Sequence, residues 1–238
     1  MSDRRPNHHR YHSHRDVTGG AARAAVFGVS DGLVSNVALI LGVAGASVDG
    51  RIVLLTGLAG LIAGAVSMAA GEYVSMQAQR ELVERELRIE SESLESHPDV
   101  EQAELAAIYE ARGIDRDTSR KIAEEVHRDP EVALEVHAKE ELGVDPGGLG
   151  SPTGAAIWSF LAFAAGALIP LVPWMITEGK LATITSMVLA GAAAGVVGAV
   201  LSLFTGKSAW FSAARQVLIA AGASAVTFAI GRAVGTTI

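Results

Sequence analysis

The chain has 238 residues, half of them hydrophobic and 19% charged, with a formal net charge of −7 and no cysteine. Disulfides, thiolate metal sites and cysteine nucleophiles are thereby excluded. A positive mean hydropathy alongside this much charge points to segregation: membrane-spanning apolar runs on both sides of one polar block, not a soluble globule.

Residues 1–22 form a polar tail with Arg4, Arg5, Arg10 and Arg15 and four histidines, His8, His9, His12 and His14. They lack the apolar stretch of a secretory signal. A His-rich tract can bind divalent metal through neutral imidazoles, but a disordered tail with incidental histidines is the reading composition favours.

The first predicted span is Val26 to Val48, long enough for a hydrocarbon core of ~30 Å. It contains Asp31, with Ser30, Ser35 and Asn36 nearby. A carboxylate inside a membrane helix is costly and by default marks an ion or proton path; the competing reading is an interfacial cap. The second predicted span, Ile52 to Met76, follows the turn Asp49-Gly50-Arg51. Gly57, Gly60 and Gly64 there permit close packing. Met68 and Glu72, four residues apart, share one face. A thioether beside a carboxylate suits a borderline ion such as Fe²⁺.

The span is expected to run on as one helix to Ser96, where His97-Pro98 ends it. Asp99 then reads as an N-cap with Gln102 as its capping-box partner, for a helix reaching about Arg112 and stopped by Gly113. A further helix is expected over Asp117 to His127. Another starts at Asp129-Pro130 and stops at Gly143. From Glu81 to Asp145 there are 20 Asp/Glu against 8 Arg/Lys, a formal −12, so the rest of the chain is net positive. An acidic exposed unit repels phosphate, which excludes nucleic acid as a partner.

Three more spans are predicted at Gly154 to Ile176, Leu181 to Leu203 and Ser212 to Gly235, for a total of five. Pro170 and Pro173 should kink the third. Gly191, Gly195 and Gly198 should give the fourth a close-packing face. Lys/Arg flanks place the N-terminus and acidic insert in the cytoplasm. The expected fold is thus an all-α membrane protein of five transmembrane helices, with a cytoplasmic helical metal-binding domain inserted between the second and third. Its segments are 1–22 (tail), 23–79 (spans one and two), 80–145 (acidic domain) and 146–238 (spans three to five).

Within the acidic block, Glu101 and Glu104 are three apart on one helix face, and the hairpin at Pro98 folds that face toward Glu90. Glu141 adds a fourth carboxylate. All-oxygen ligation of this kind suits hard or borderline divalent ions, although a solvated acidic face has the same spacing. A ferritin-like oxidase needs two Glu-x-x-His motifs, and only Glu124-Glu-Val-His127 is present. No nucleotide loop, HExxH motif or serine triad points to an enzyme.

Asp31-Gly-Leu-Val-Ser, Gly64-Ala-Val-Ser-Met-Ala-Ala-Gly-Glu-Tyr-Val-Ser and Glu141-Leu-Gly resemble, in this order, the vacuolar iron transporter family. The resemblance covers about Arg23 to the C-terminus, and the compact Ala/Gly-rich chain reads as a bacterial-type member in a bacterial plasma membrane. It implies a homodimer that moves Fe²⁺, and often Mn²⁺, out of the cytosol in exchange for protons. The metal is substrate and domain ligand, with no prosthetic group. By the same resemblance Asp31 and Met68 line the pathway, and Glu90, Glu101, Glu104 and Glu141 form the metal cluster; Glu72, on the face of Met68, is expected to join the pathway pair. Three positions depart from the plant pattern. Ser93, adjoining Glu92, replaces a glutamate, His137-Ala138 replaces a methionine pair, and Gly60 replaces a carboxylate. His137 keeps a metal-ligating atom in the cluster and trades sulfur for imidazole. The competing class is a non-transporting anchor whose acidic domain buffers metal or recruits a basic partner, which has no use for an intramembrane Asp31.

Overall fold

The structure is a computed structural model that describes residues 20–46 and 49–235, with side chains from residue 25. The histidine-bearing tail, the Arg23 side chain and the predicted end of the first span at Val48 lie outside the described residues. All regular structure among the described residues is helical. The elements are α1 (Gly20–Ala46), α2 (Gly50–Ser96), α3 (Pro98–Ala111), α4 (Arg116–Val126), α5 (Pro130–Glu140), α6 (Pro152–Ile176), α7 (Gly179–Thr205) and α8 (Ala209–Gly235), with a 3-10 turn at Pro146–Gly148 before α6. Five of them, α1, α2, α6, α7 and α8, are long and apolar enough to cross a membrane.

The bundle is organised around α1, which touches each of the other four long helices. Its closest partners are held through glycine. A Cβ at Gly32 would fall on the Phe163 carbonyl, one at Gly166 on the Val29 carbonyl, and one at Gly231 on the Gly42 carbonyl. In lipid, where apolar burial gives helices no reason to associate, such backbone approach is what holds them together. Leu33, Val37 and Leu41 of α1 pack with Ala190, Ala194 and Ala220, while Ile40 packs with Val53, Leu171, Trp174 and Ala182. Polar side chains bridge the helices: Asn36 Nδ2 donates to the Ala167 carbonyl at 2.7 Å, Ser186 Oγ to the Pro170 carbonyl at 2.5 Å and Gln216 Nε2 to Ser30 Oγ.

Gly57, Gly60 and Gly64 do face neighbouring side chains, Leu171, Leu39 and Phe163 respectively. The expected face on α7 is narrower than predicted. Gly198 lies against the Ser212 backbone, but Gly191 has nothing within 4 Å of an added Cβ and Gly195 only Val217. The helix α6 is assigned without a break through Pro170 and Pro173.

As expected, α2 is one helix of 47 residues, started by Asp49 accepting from the Arg51 amide and ended at His97. The next start differs from the predicted capping box. Proline is preorganised for the first helical turn and loses no hydrogen bond there, so α3 begins at Pro98, with His97 as a cap whose side chain makes no bond to the helix amides and Asp99 inside the first turn. Asp115 caps α4 through the Thr118 amide at 3.1 Å, and Asp129 caps α5 through the Glu131 amide at 3.0 Å. The glycines after α3 and α5, Gly113 and Gly143, adopt positive φ of 93° and 66°, a conformation that favours glycine. Leu105, Ala106 and Ala123, flanked by Tyr109, Val126 and Val136, form the small apolar core that draws α3, α4 and α5 together.

Candidate metal centre

Glu90 lies two turns before the end of α2, Glu101 in the first turn of α3, His137 in the last turn of α5 and Glu141 just beyond it. The tight reversal at His97-Pro98 turns Glu101 back on Glu90. The packing of α5 against α2 brings in His137 and Glu141, which share a face because they are four residues apart. Each of the four offers a ligating atom, and these atoms all lie within 4.8 Å of one another. His137 is fully buried and Glu101 is 7% exposed.

One ring nitrogen is the focus of the arrangement. His137 Nδ1 is 2.6 Å from Glu141 Oε1, 2.9 Å from Glu90 Oε1 and 3.9 Å from Glu101 Oε2. A single nitrogen carries at most one proton, so it serves Glu141, and the buried Glu90 Oε1 is left with no hydrogen bond of its own. Burial raises the Glu90 carboxyl above the ordinary glutamate range, and the neighbouring Glu141 adds to the rise while His137 opposes it. Glu141 is raised in the same way, first by burial, with His137 again pulling it down. Three acids around one imidazole hold more acceptors than protons. A divalent cation would supply the missing positive charge, and carboxylate oxygen with imidazole nitrogen suits Fe²⁺, Mn²⁺ or Zn²⁺.

Glu104 is exposed and lies outside the group of four. It is near enough to raise Glu90 and Glu141 but does not share their ligand sphere. Ser93 belongs to the site, with its Oγ donating to Glu101 Oε1; the adjoining Glu92 is exposed on another face of α2. Spacing could have revealed this, since Ser93 is three residues from Glu90 on the same helix.

Asp31 is partly buried on α1 and accepts a hydrogen bond from Ser35 Oγ at 3.1 Å. Met68 packs against the cluster of Ala65, Phe163 and Ala167. Glu72, one turn further along α2, is partly exposed. Among the described residues neither Asp31 nor Glu72 belongs to a group of three or more ligating Asp, Glu or His side chains.

Five apolar helices define an integral membrane protein, and its helical extension carries a carboxylate–imidazole group whose spacing fits one metal ion. Comparison with known proteins makes this specific. Residues 22–232 match the model of the VIT family, and the chain belongs to that family. It is similar to vacuolar iron transporter 1 of Oryza sativa subsp. japonica, 32% identical over 99% of this chain and 95% of the relative. It also resembles vacuolar iron transporter 2 of the same plant (34% identity, 94% and 92% coverage) and the vacuolar iron transporter of Acanthamoeba castellanii (34%, 90% and 78%). The family's members so named are transporters, not enzymes. Being from plants and an amoeba, and vacuolar by name, they give no support to the bacterial membrane expected from composition.

Proposed function

We propose that this chain exports Fe²⁺ or Mn²⁺ from the cytosol across its membrane in exchange for protons. In this reading residues 80–145 are a cytoplasmic metal-binding domain, and two copies form the working unit. The observation that carries the reading is the convergence of Glu90, Glu101 and Glu141 on His137 Nδ1. The acidic domain raises the local concentration of cytosolic ion near the membrane. Asp31, with Met68 and Glu72, then takes the partly dehydrated ion, and protons from the far side compete for Asp31 and release it. Transport out of the cytosol fits the vacuolar names of the relatives.

Dimerisation is supported by where Asp31 stands. Helical periodicity sets Asp31 and Ser35 on a different side of α1 from Asn36 and Gly32, which meet α6, and Ser35 is exposed. A carboxylate only partly covered within a membrane span is costly, and a second copy laid over that face reduces the cost.

The test is metal uptake into proteoliposomes, comparing Fe²⁺ with Mn²⁺, with and without an imposed proton gradient. Gradient-dependent flux supports the exchanger and ranks the ions. Metal binding without flux in vesicles of verified orientation favours a membrane-anchored buffer instead.

A further inference from the structure

His137 uses only one of its ring nitrogens in the carboxylate cluster. Its Nε2, on the opposite edge, is buried and has no hydrogen-bond partner. Beside it stands a second imidazole, His127 at the end of α4, with ring centroids 5.1 Å apart and planes at 83°. His127 Nδ1 is 2.8 Å from the Ala123 carbonyl. A carbonyl only accepts, so Nδ1 carries the proton and the neutral ring's Nε2 is a lone pair. That Nε2 is also buried and unpartnered.

Two orphaned buried nitrogens on adjacent rings are costly as they stand, and in this arrangement they make no hydrogen bond to each other. With the proton of His137 on Nδ1, facing Glu141, both Nε2 atoms are lone pairs and neither can donate. An ion bound at Nδ1 changes this. It occupies the Nδ1 lone pair, so the neutral ring must hold its single proton on Nε2. The proton count of the ring is unchanged; its position moves from one nitrogen to the other. A buried N–H then needs an acceptor, and the unused lone pair of His127 is the one alongside.

We propose that His127 is a positioning residue for metal binding. It accepts from His137 Nε2–H, directly or through one water, and thereby selects the tautomer whose Nδ1 is free to ligate. The chain of groups is the Ala123 carbonyl, His127, His137 and the ion. Ligating histidines commonly have their second nitrogen fixed in this manner, and loss of the partner costs 10–100-fold in affinity. The inference rests on the reading of His137 as a metal ligand.

The test uses the full chain in detergent with Mn²⁺ as probe, measured by titration calorimetry and by pulsed electron paramagnetic resonance for directly bound nitrogen. Two variants separate the lone pair from the packing. His127→Phe keeps a ring and removes the acceptor; His127→Gln restores an acceptor at similar reach. The expected result is a nitrogen coupling in the wild type, affinity about 10–100-fold weaker in His127→Phe, and affinity within a few-fold of wild type in His127→Gln. Wild-type affinity in His127→Phe, or an equal loss in both variants, overturns the proposal. Tight Mn²⁺ binding without any bound nitrogen in the wild type also overturns it, while leaving a carboxylate site standing. Absence of Mn²⁺ binding altogether removes the metal-site reading itself.

Discussion

Ser93 Oγ, on the last turn of α2, donates a hydrogen bond to Glu101 Oε1 on the first turn of α3. The bond closes the hairpin from inside and supplies a donor to a carboxylate that is 7% exposed. Ser93→Ala is expected to destabilise the acidic helices by about 1–3 kcal/mol, the cost of leaving a buried acceptor unmet. Hydrogen exchange at Leu105 and Ala106 reports it as faster opening; unchanged exchange would count against a structural role. Ser93→Glu is expected to tighten Mn²⁺ binding at neutral pH, because it adds a carboxylate within reach of the cluster.

The pH dependence has a definite sign. Glu90 and Glu141 are both raised above the ordinary glutamate range, so the folded protein holds protons there that the unfolded chain has released. Stability of the metal-free helices is therefore lost as pH rises through the raised range and is unaffected by these two groups below the unfolded value. Thermal unfolding of metal-free protein should show a lower midpoint at pH 7 than near pH 5, and Glu90→Gln should flatten the difference. A wild-type midpoint that climbs across this interval would refute the assignment.

Metal loading reverses the dependence. The ion needs both carboxylates ionised, so protons compete with it at a pH where exposed glutamates have already lost theirs. Calorimetry in buffers of different ionisation enthalpy should show up to two protons released per Mn²⁺ bound at acidic pH, with fewer released as pH rises. Proton release that is absent throughout would mean that Glu90 and Glu141 do not ligate.

Asp31→Asn keeps the size of the side chain and its capacity to accept from Ser35, but removes the charge and the proton site. Flux in proteoliposomes should drop to background, with Mn²⁺ binding at the acidic helices unchanged. Wild-type flux in this variant would sink the exchange mechanism.

Glycine substitutions separate packing from open surface. Gly32→Ala drives a methyl into the Phe163 carbonyl, a backbone group on α6 that cannot rotate away. A loss of at least about 1–3 kcal/mol, as for overpacking, should appear as a lower yield of monodisperse protein in detergent. Gly191→Ala adds its methyl to open space and should be neutral or slightly stabilising. Equal behaviour of the two would contradict the α1–α6 contact.

The five spans were legible because hydropathy reads membrane crossing directly: lipid demands long apolar runs whatever their packing partners. The unbroken passage of α2 into the polar block was legible too, from helix formers without a breaker before His97. What spacing left open was which acidic side chains meet. Glu101 and Glu104 are equivalent in a helical reading, and only the rotation of α3 against α5 turns Glu101 inward and leaves Glu104 outside. His127 was visible within its single Glu-x-x-His motif, yet its neighbour is ten residues away on another helix, a relation that no local period encodes. Ser93 stood out only as a missing glutamate, whereas its hydroxyl has a partner across the hairpin. The start of α3 shifted by two residues, its cap from Asp99 to His97, because proline, not aspartate, opens the turn.

Glu72 and Glu90 ride on the same continuous helix, 18 residues apart, and so about 27 Å from each other along its axis. No ion crosses that interval in one coordinated step. In a transporter the acidic helices must therefore let go before the membrane ligands can take hold, and the dwell time of the ion becomes as consequential as its affinity. With association near 10⁸ M⁻¹s⁻¹, a dissociation constant of about 1 nM corresponds to a stay of roughly 10 s, and one of about 1 μM to roughly 10 ms. The first would make the cluster a store and the second a feeder. On the proposed reading, the length of α2 thus puts an upper bound on how tightly three carboxylates and an imidazole can hold an ion without throttling the flux they would serve.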